Sequence, residues 1–139
     1  MKRTIIILLG IIPFLCFMAC NGVSSNSNSL EKKEAREQLK LEVELVNKTL
    51  VGKQVDDVTT MTACKFDGMN LIYKYTIDEN IVRVDEISES ALKEHLQQEW
   101  EFNSQLQTTK RCLQKLGGNV VYKYIGSKSN KSLTITINV

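Results

Sequence analysis

The side chains best suited to covalent or acid–base chemistry in this 139-residue chain are four cysteines, one histidine and a pair of adjacent aspartates. A thiol needs a neighbouring base to act as a nucleophile, and histidine is the usual general base. His95 has Glu94 beside it and Glu99 one turn further along a predicted helix, where a lone histidine is usually a surface residue. Neither Cys64 nor Cys112 has a plausible partner base. The sequence therefore predicts no catalytic site.

Metal and cofactor sites are equally poorly supported. Asp56 and Asp57 could contact a cation, but no EF-hand spacing surrounds them, and an Asp pair in a connector is typical of a turn. No C-x-x-C spacing, Gly-rich phosphate loop, G-x-S-x-G or H-E-x-x-H motif occurs. We expect no metal, no cofactor and no small-molecule ligand.

The first 19 residues have the pattern of a secretory signal peptide. Lys2 and Arg3 precede an apolar run that is too short for a typical transmembrane helix, and the run ends at the small residue Ala19. Residues 20–29 are rich in Ser and Asn and predict a flexible tether. Residues 30–139 are then expected to form one domain.

The segment Phe17-Met18-Ala19-Cys20 resembles the lipobox of bacterial lipoproteins, although Leu is commoner at the first position and Ser, Ala or Thr at the second. The resemblance implies that Cys20 is lipidated, with palmitate among the acyl groups, and anchors the domain in the cell envelope. Asn21 is not the Asp that retains such proteins at the inner membrane, so the outer membrane, facing the periplasm, is implied. The alternative is a plain signal peptide or a short anchor that ends near a cysteine.

Removal of the signal changes the charge of the chain. Lys2 and Arg3 are two of the 18 basic residues, and none of the 16 acidic residues leaves with them, so the mature net charge is about zero. A neutral chain offers no general attraction to nucleic acid. We therefore expect no nucleic-acid partner.

Only Cys64 and Cys112 remain as thiols of the folded part if Cys20 carries a lipid. Two cysteines in an oxidising compartment suggest one disulfide, which the chain-entropy model associates with about 4 kcal/mol for a loop of this length. The alternative is two separate cysteines that pack as small apolar side chains. Both possibilities remain open from the sequence.

Two helical segments are predicted. Residues 30–50 carry an apolar stripe with a charged opposite face, and Gly52 follows as the expected breaker. Residues 88–116 form a second helical segment, with a break near Asn103-Ser104 and an end at Gly117-Gly118. Between these helical segments, residues 81–84 are predicted to extend the strand that covers residues 69–77.

Four strands are predicted, in two hairpins. Residues 58–66 and 69–77 flank Asp67-Gly68, a strong two-residue turn signal, and residues 119–125 and 132–139 flank a longer turn. The element order α-β-β-α-β-β predicts an α+β domain, with an antiparallel sheet of about four strands and the helices packed on one face.

An internal echo links the second and third strands, because residues 70–75 and 119–124 match in polarity at every position. The match indicates an old duplication that gave two similar α-β-β halves, or two tyrosine faces that form one binding surface with the flanking lysines. The alternative is that it reflects only the residue preferences of an amphipathic sheet. In every case these two strands are expected to be adjacent at the centre of the sheet, with their tyrosine side chains packed against the core. The opposite side is then a candidate binding face: Ile72, Lys74, Val121, Lys123 and Ile125.

A second resemblance rests on residues 46–50 (VNKTL), Val55-Asp56, Thr59 and the Tyr73-Lys74-Tyr75 strand. These residues are similar to a loose group of small, uncharacterised bacterial envelope proteins with a VNKxLPxxVDxxT…YxY pattern. The chain departs from the group by carrying Val51 in place of Pro and by its cysteine positions. The resemblance implies a small α+β domain and transfers no catalytic residue.

Three functions are compatible with these features. The favoured one is a membrane-anchored envelope lipoprotein that is not an enzyme, has a binding or structural role and contacts an envelope protein partner. The second is an inhibitor or immunity protein directed against an envelope enzyme or a toxin. The third, an enzyme, requires a concave pocket that gathers polar groups which are scattered in the sequence.

Overall fold

The computed structural model describes residues 28–139. The predicted signal peptide, the predicted lipidation site Cys20 and most of the predicted tether lie outside these residues. The first helix, α1 (Asn28–Thr49), begins two residues before the predicted domain, so the end of the expected tether is helical. Its buried positions, Ala35, Leu39, Glu42 and Val46, recur at helical spacing and form one stripe against the rest of the fold.

The first hairpin consists of β1 (Thr59–Phe66) and β2 (Leu71–Ile77), as predicted. Its turn is fixed by the Asp67 carboxylate, which accepts hydrogen bonds from the backbone amides of Met69 at 2.9 Å and Asn70 at 2.6 Å. Gly68 has φ 100°, a conformation that other residues rarely adopt. The Asp-Gly signal therefore identified this turn correctly.

The predicted strand extension at residues 81–84 is wrong. The backbone amides of Ile81 and Val82 both donate to the Asp78 carbonyl, which makes a tight turn, and a short 3₁₀ helix follows at Val84–Glu86. A turn at this point directs the chain out of the sheet and over its helical side.

The second helical segment contains the expected break. Helix α2 (Glu89–Phe102) is capped by Ser88, and α3 (Gln107–Leu116) follows a 3₁₀ turn that begins where the Asn103 side chain accepts from the Gln105 amide at 2.9 Å. Gly117 ends α3 in the left-handed conformation, with φ 68°. The predicted break and the predicted glycine end are both confirmed.

The second hairpin, β3 (Asn119–Gly126) and β4 (Ser132–Asn138), completes a four-stranded sheet in the order β1-β2-β3-β4. The α+β class and the α-β-β-α-β-β order are confirmed, but the sheet is mixed. Both hairpins are antiparallel, whereas the central strands β2 and β3 pair in parallel. A strand, a helical crossover and a second strand favour parallel pairing, because the long connection returns the chain to the same end of the sheet.

All three helices cover one side of this sheet, as predicted. Helix α1 packs against β1 and α3, and α2 packs against β4. The buried apolar residues of helices and strands form one continuous cluster, with Trp100 and the β2 and β3 tyrosines among its largest members. The opposite side of the sheet carries no helix of the described chain.

Candidate functional site

The five residues of the candidate binding face lie together on the side of the sheet away from the helices. The parallel register places Ile72 opposite Val121 and Lys74 opposite Lys123. Ile125 lies one row further along, opposite Thr76. We call this side, formed by the outward-pointing residues of β1 to β4, the outer face.

The outer face is accessible along the described chain. Ile125 is 38% exposed, and the other four predicted residues are partly exposed although they occupy central strands. Lys65 on β1 belongs to the same face, because it pairs with Ile72. Regular alternation from Met61 does not reveal Lys65, because a bulge between Met61 and Ala63 shifts the alternation of β1 and brings Lys65 to the outer face.

The tyrosines lie on the other side of the sheet, so they form no common surface with the lysines. Tyr73 stacks on Tyr122 with ring centroids 5.4 Å apart, and Tyr75 stacks on Tyr124 at 5.2 Å. All four rings are buried beneath the helices. The expectation of adjacent central strands and core-facing tyrosines is confirmed, and a shared Tyr–Lys binding surface is excluded.

One polar contact orients this aromatic cluster. The indole Nε1 of Trp100 in α2 donates to the Tyr122 hydroxyl at 2.7 Å, in a buried position. Burial raises the pKa of Tyr122 above its ordinary value, with the bond from Trp100 acting in the opposite direction. The hydroxyl groups of Tyr73 and Tyr124 have no hydrogen-bond partner among residues 28–139.

A buried carboxyl group lies between α1 and α3. Glu42 accepts a hydrogen bond from the Thr109 hydroxyl through Oε2 at 2.7 Å, while its Oε1 has no partner within the described chain. Burial raises the pKa of Glu42 to about 7, and the bond from Thr109 opposes part of that rise. The burial of Glu42 was not predicted from the sequence, since a glutamate in a charge-rich helix resembles a solvent-exposed residue.

Helix α1 also protects the sheet edge formed by β1. The Asn47 amide donates through Nδ2 to the Cys64 carbonyl at 2.9 Å and accepts through Oδ1 from the Cys64 amide at 3.0 Å. These two bonds satisfy backbone groups that an edge strand otherwise leaves open to other strands. Asn47 therefore has a structural role that its position in the VNKTL segment did not reveal.

The two cysteines are not joined by a disulfide in this structure. Cys64 points into the core from β1, whereas Cys112 is half-buried on α3, and α1 bonds to both elements through Asn47 and Glu42. Pairing of the two cysteines and their separate packing both stay predictions. Burial, followed by the nearby Glu42 carboxylate, raises the pKa of the Cys64 thiol to about 12.

The remaining candidates have local surroundings typical of structural residues. Asp56 accepts hydrogen bonds from the amides of Val58 at 2.8 Å and Thr59 at 2.7 Å, which is the turn function expected from the sequence. His95 is half-buried on α2, with its Nε2 lacking a hydrogen-bond partner in the described part of the chain. Within residues 28–139, no three His, Cys, Asp or Glu side chains are grouped as a metal site.

One surface depression, of about 360 Å³, follows the solvent side of α2. It is lined by Ser90, Lys93, Glu94, Gln97, Gln98 and Glu101. These groups are exposed or flank an open surface, and they include no thiol or imidazole that could act with a base. None of the helices between residues 28 and 139 is long and apolar enough to cross a membrane.

Comparisons with known proteins establish the fold. The structure is similar to the crystal structure of a "putative secreted protein" from Pseudomonas aeruginosa, with a TM-score of 0.60 and 13% sequence identity over 85% of this chain and 96% of the other. No protein-family model matches the chain, and a search of curated proteins finds no match either. What this chain shares with the Pseudomonas protein is therefore its fold.

Proposed function

We propose that this protein is a lipid-anchored protein of the bacterial cell envelope that binds another envelope protein through its outer face and catalyses no reaction. The observation that carries the proposal is the collection of Ile72, Lys74, Val121, Lys123 and Ile125 on one side of the sheet, in register and free of any covering helix along the described chain.

The binding role rests on the contrast between the two sides of the sheet. Apolar and aromatic side chains pack between the inner side of the sheet and the helices, and the polar atoms on that side are buried. The outer face instead combines part-exposed Ile and Val side chains with lysines on central strands, where solvent-exposed apolar groups are characteristic of interaction surfaces. An open sheet face suits a protein partner better than a small molecule, which binds in concave sites.

The envelope location rests on the sequence before the described residues. The signal-like segment and the lipobox-like residues ending at Cys20 support export and lipid anchoring. A similar fold in a "putative secreted protein" is compatible with a location outside the cytoplasm. Among the residues that follow Cys20, only seven precede α1, which starts at Asn28, so the tether would keep the domain within about 25 Å of the membrane.

The anchoring is tested by replacing the lipid acceptor. The change Cys20→Ser should move the protein from the membrane fraction to the soluble fraction of cell extracts. Cys64→Ser serves as the matched control, because Cys64 is enclosed in the core and should leave fractionation unchanged. Retention of the Cys20→Ser protein in membranes would contradict lipid anchoring.

The binding role is tested by photo-crosslinking in intact cells. A photoreactive residue at position 125 should give a discrete crosslinked protein, while the same group at position 98, exposed on α2, should give none. An inhibitor or immunity protein would crosslink to an enzyme or toxin, so the identity of the product distinguishes that role from a structural one. Equal crosslinking at both positions, or none at position 125, would refute a binding role for the outer face.

A further inference from the structure

The outer face has a one-sided charge. Lys65, Lys74 and Lys123 lie on three neighbouring strands, with Lys74 and Lys123 directly paired across the parallel register. No outward-pointing position of the four strands carries Asp or Glu. The nearest acidic residues in sequence, Asp67 and Asp78, lie in the turns beyond the strand ends.

No ion pair of Lys65, Lys74 or Lys123 is found in the part of the chain that the structure describes. The ion pairs found between residues 28 and 139 involve other cations, namely Lys40, Arg83, Lys115 and Lys131. Like charges directly opposite each other destabilise a sheet, and neighbouring strands are only about 5 Å apart. The Lys74–Lys123 pair therefore costs stability in the free protein, and a bound anionic group would relieve that cost.

The surroundings of the lysines indicate what kind of anion fits. Ile72 and Val121 form an apolar row on one side of the Lys74–Lys123 pair, and Ile125 lies on the other side. Hydroxyl groups surround this centre at Thr60, Thr62, Thr76, Ser132, Thr134 and Thr136. The face therefore matches a ligand that presents acidic groups next to apolar ones.

The same composition argues against other anions. Every tyrosine of the sheet and Trp100 point to the helical side, so the outer face has no aromatic ring to stack on a base or to settle at a lipid interface. Three lysines are also fewer than the clusters of four to eight that typify binding to anionic lipids. Of these anions, carboxylates that lie beside apolar side chains fit the lysines and aliphatic rows of the outer face. Such groups are found on protein surfaces.

Resting on the proposed binding role, we infer that the partner docks an acidic protein segment on the outer face. Its carboxylates pair with Lys65, Lys74 and Lys123, and its neighbouring apolar side chains cover Ile72, Val121 and Ile125. The contact neutralises the lysine pair and buries the aliphatic rows in one step. Charge gives this contact its specificity and its sensitivity to salt.

The test measures binding of fluorescently labelled poly-L-glutamate by anisotropy, using the whole mature protein in neutral detergent micelles. The double change K74Q/K123Q should weaken binding by about five-fold, the effect of losing roughly two exposed ion pairs. The matched control K33Q/K93Q removes two exposed helix lysines and should leave the affinity unchanged. Added salt should weaken binding to the unchanged protein and to the control more than to K74Q/K123Q.

Several outcomes would overturn this inference. Equal loss in both double variants would show general charge attraction, and tighter binding of phosphatidylglycerol vesicles or of oligo-dT through the same lysines would show a lipid or nucleic-acid ligand. Concentration-dependent dimerisation of the unchanged protein that K74Q/K123Q abolishes would indicate a second copy as the occupant. Crosslinks from position 125 that persist unchanged in K74Q/K123Q cells would refute the acidic partner while leaving the proposed binding role intact.

Discussion

Glu42 should make this protein less stable as the pH rises through neutrality. The folded state raises the pKa of Glu42 from 4.5 to about 7, chiefly by burial. A carboxyl group with a raised folded-state pKa stabilises the fold while it is protonated. Its contribution is fully present below the unfolded pKa and is lost as the pH rises through the folded pKa.

The size of the effect follows from the shift. One pKa unit corresponds to about 1.4 kcal/mol, so the rise at Glu42 corresponds to about 3 kcal/mol in the free energy of unfolding, most of it lost between about pH 5 and pH 8. Other shifted groups act outside this window. The pKa of Glu79 is lowered to about 2 by hydrogen bonds from Ser129, and that of Cys64 is raised to about 12 by burial.

The assay is urea unfolding at a series of pH values, followed by the fluorescence of the buried Trp100. The change Glu42→Gln keeps the size of the side chain and an acceptor for the Thr109 hydroxyl, but removes the titration. We expect the variant to match the unchanged protein near pH 5, to be more stable near pH 8, and to vary little between them. Thr109→Val should raise the pKa of Glu42 further, since the bond from Thr109 lowers it.

The matched control is Glu44→Gln, at an exposed position of the same helix, which should preserve the pH dependence. A protein whose free energy of unfolding is flat between pH 5 and pH 8 would refute a buried, titrating Glu42. The same conclusion would follow if Glu44→Gln abolished the dependence as fully as Glu42→Gln.

Three further outcomes are expected. Asn47→Ala removes both side-chain bonds to the Cys64 backbone and should lower the free energy of unfolding by about 1–2 kcal/mol in urea titrations, with Asn47→Asp intermediate because it keeps the acceptor. Tyr122→Phe leaves the buried Trp100 Nε1 without its acceptor and should lower the free energy of unfolding by about 1–3 kcal/mol. The hydroxyl of Tyr124 has no partner within residues 28–139, so Tyr124→Phe should change this free energy little. Equal losses in the two variants would contradict the assigned contact. The Cys64 thiol should resist alkylation at neutral pH until the protein is unfolded, as measured by mass spectrometry, because it is buried with a raised pKa; rapid labelling of the folded protein at Cys64 would contradict this burial.

The local elements were predictable because their signals are local. Helix periodicity, the Asp67-Gly68 turn and the Gly117 end each involve residues within a few positions of one another. The alternation in β2 and β3 also placed the lysines and tyrosines on opposite sides of their strands correctly. Local patterning therefore predicted the five residues of the candidate binding face on one side of the sheet, but not Lys65.

Features that depend on which elements become neighbours were not predictable in the same way. An alternating strand has the same pattern in parallel and antiparallel pairs, so the pairing of β2 with β3 was misjudged. Glu42 became a buried group only because α3 packs over it and Thr109 supplies a donor. Asn47 became an edge cover only because β1 lies beside α1.

The parallel centre of the sheet has a consequence for how the chain folds. The Asn119 amide donates to the side chain of Asn70, which lies 49 positions earlier in the sequence, at the point where β2 and β3 begin to pair. Each hairpin closes a short loop, whereas joining them requires a long one, whose closure carries a larger entropy cost. We therefore expect the two hairpins to form early and their docking through the tyrosine stack to set the folding rate.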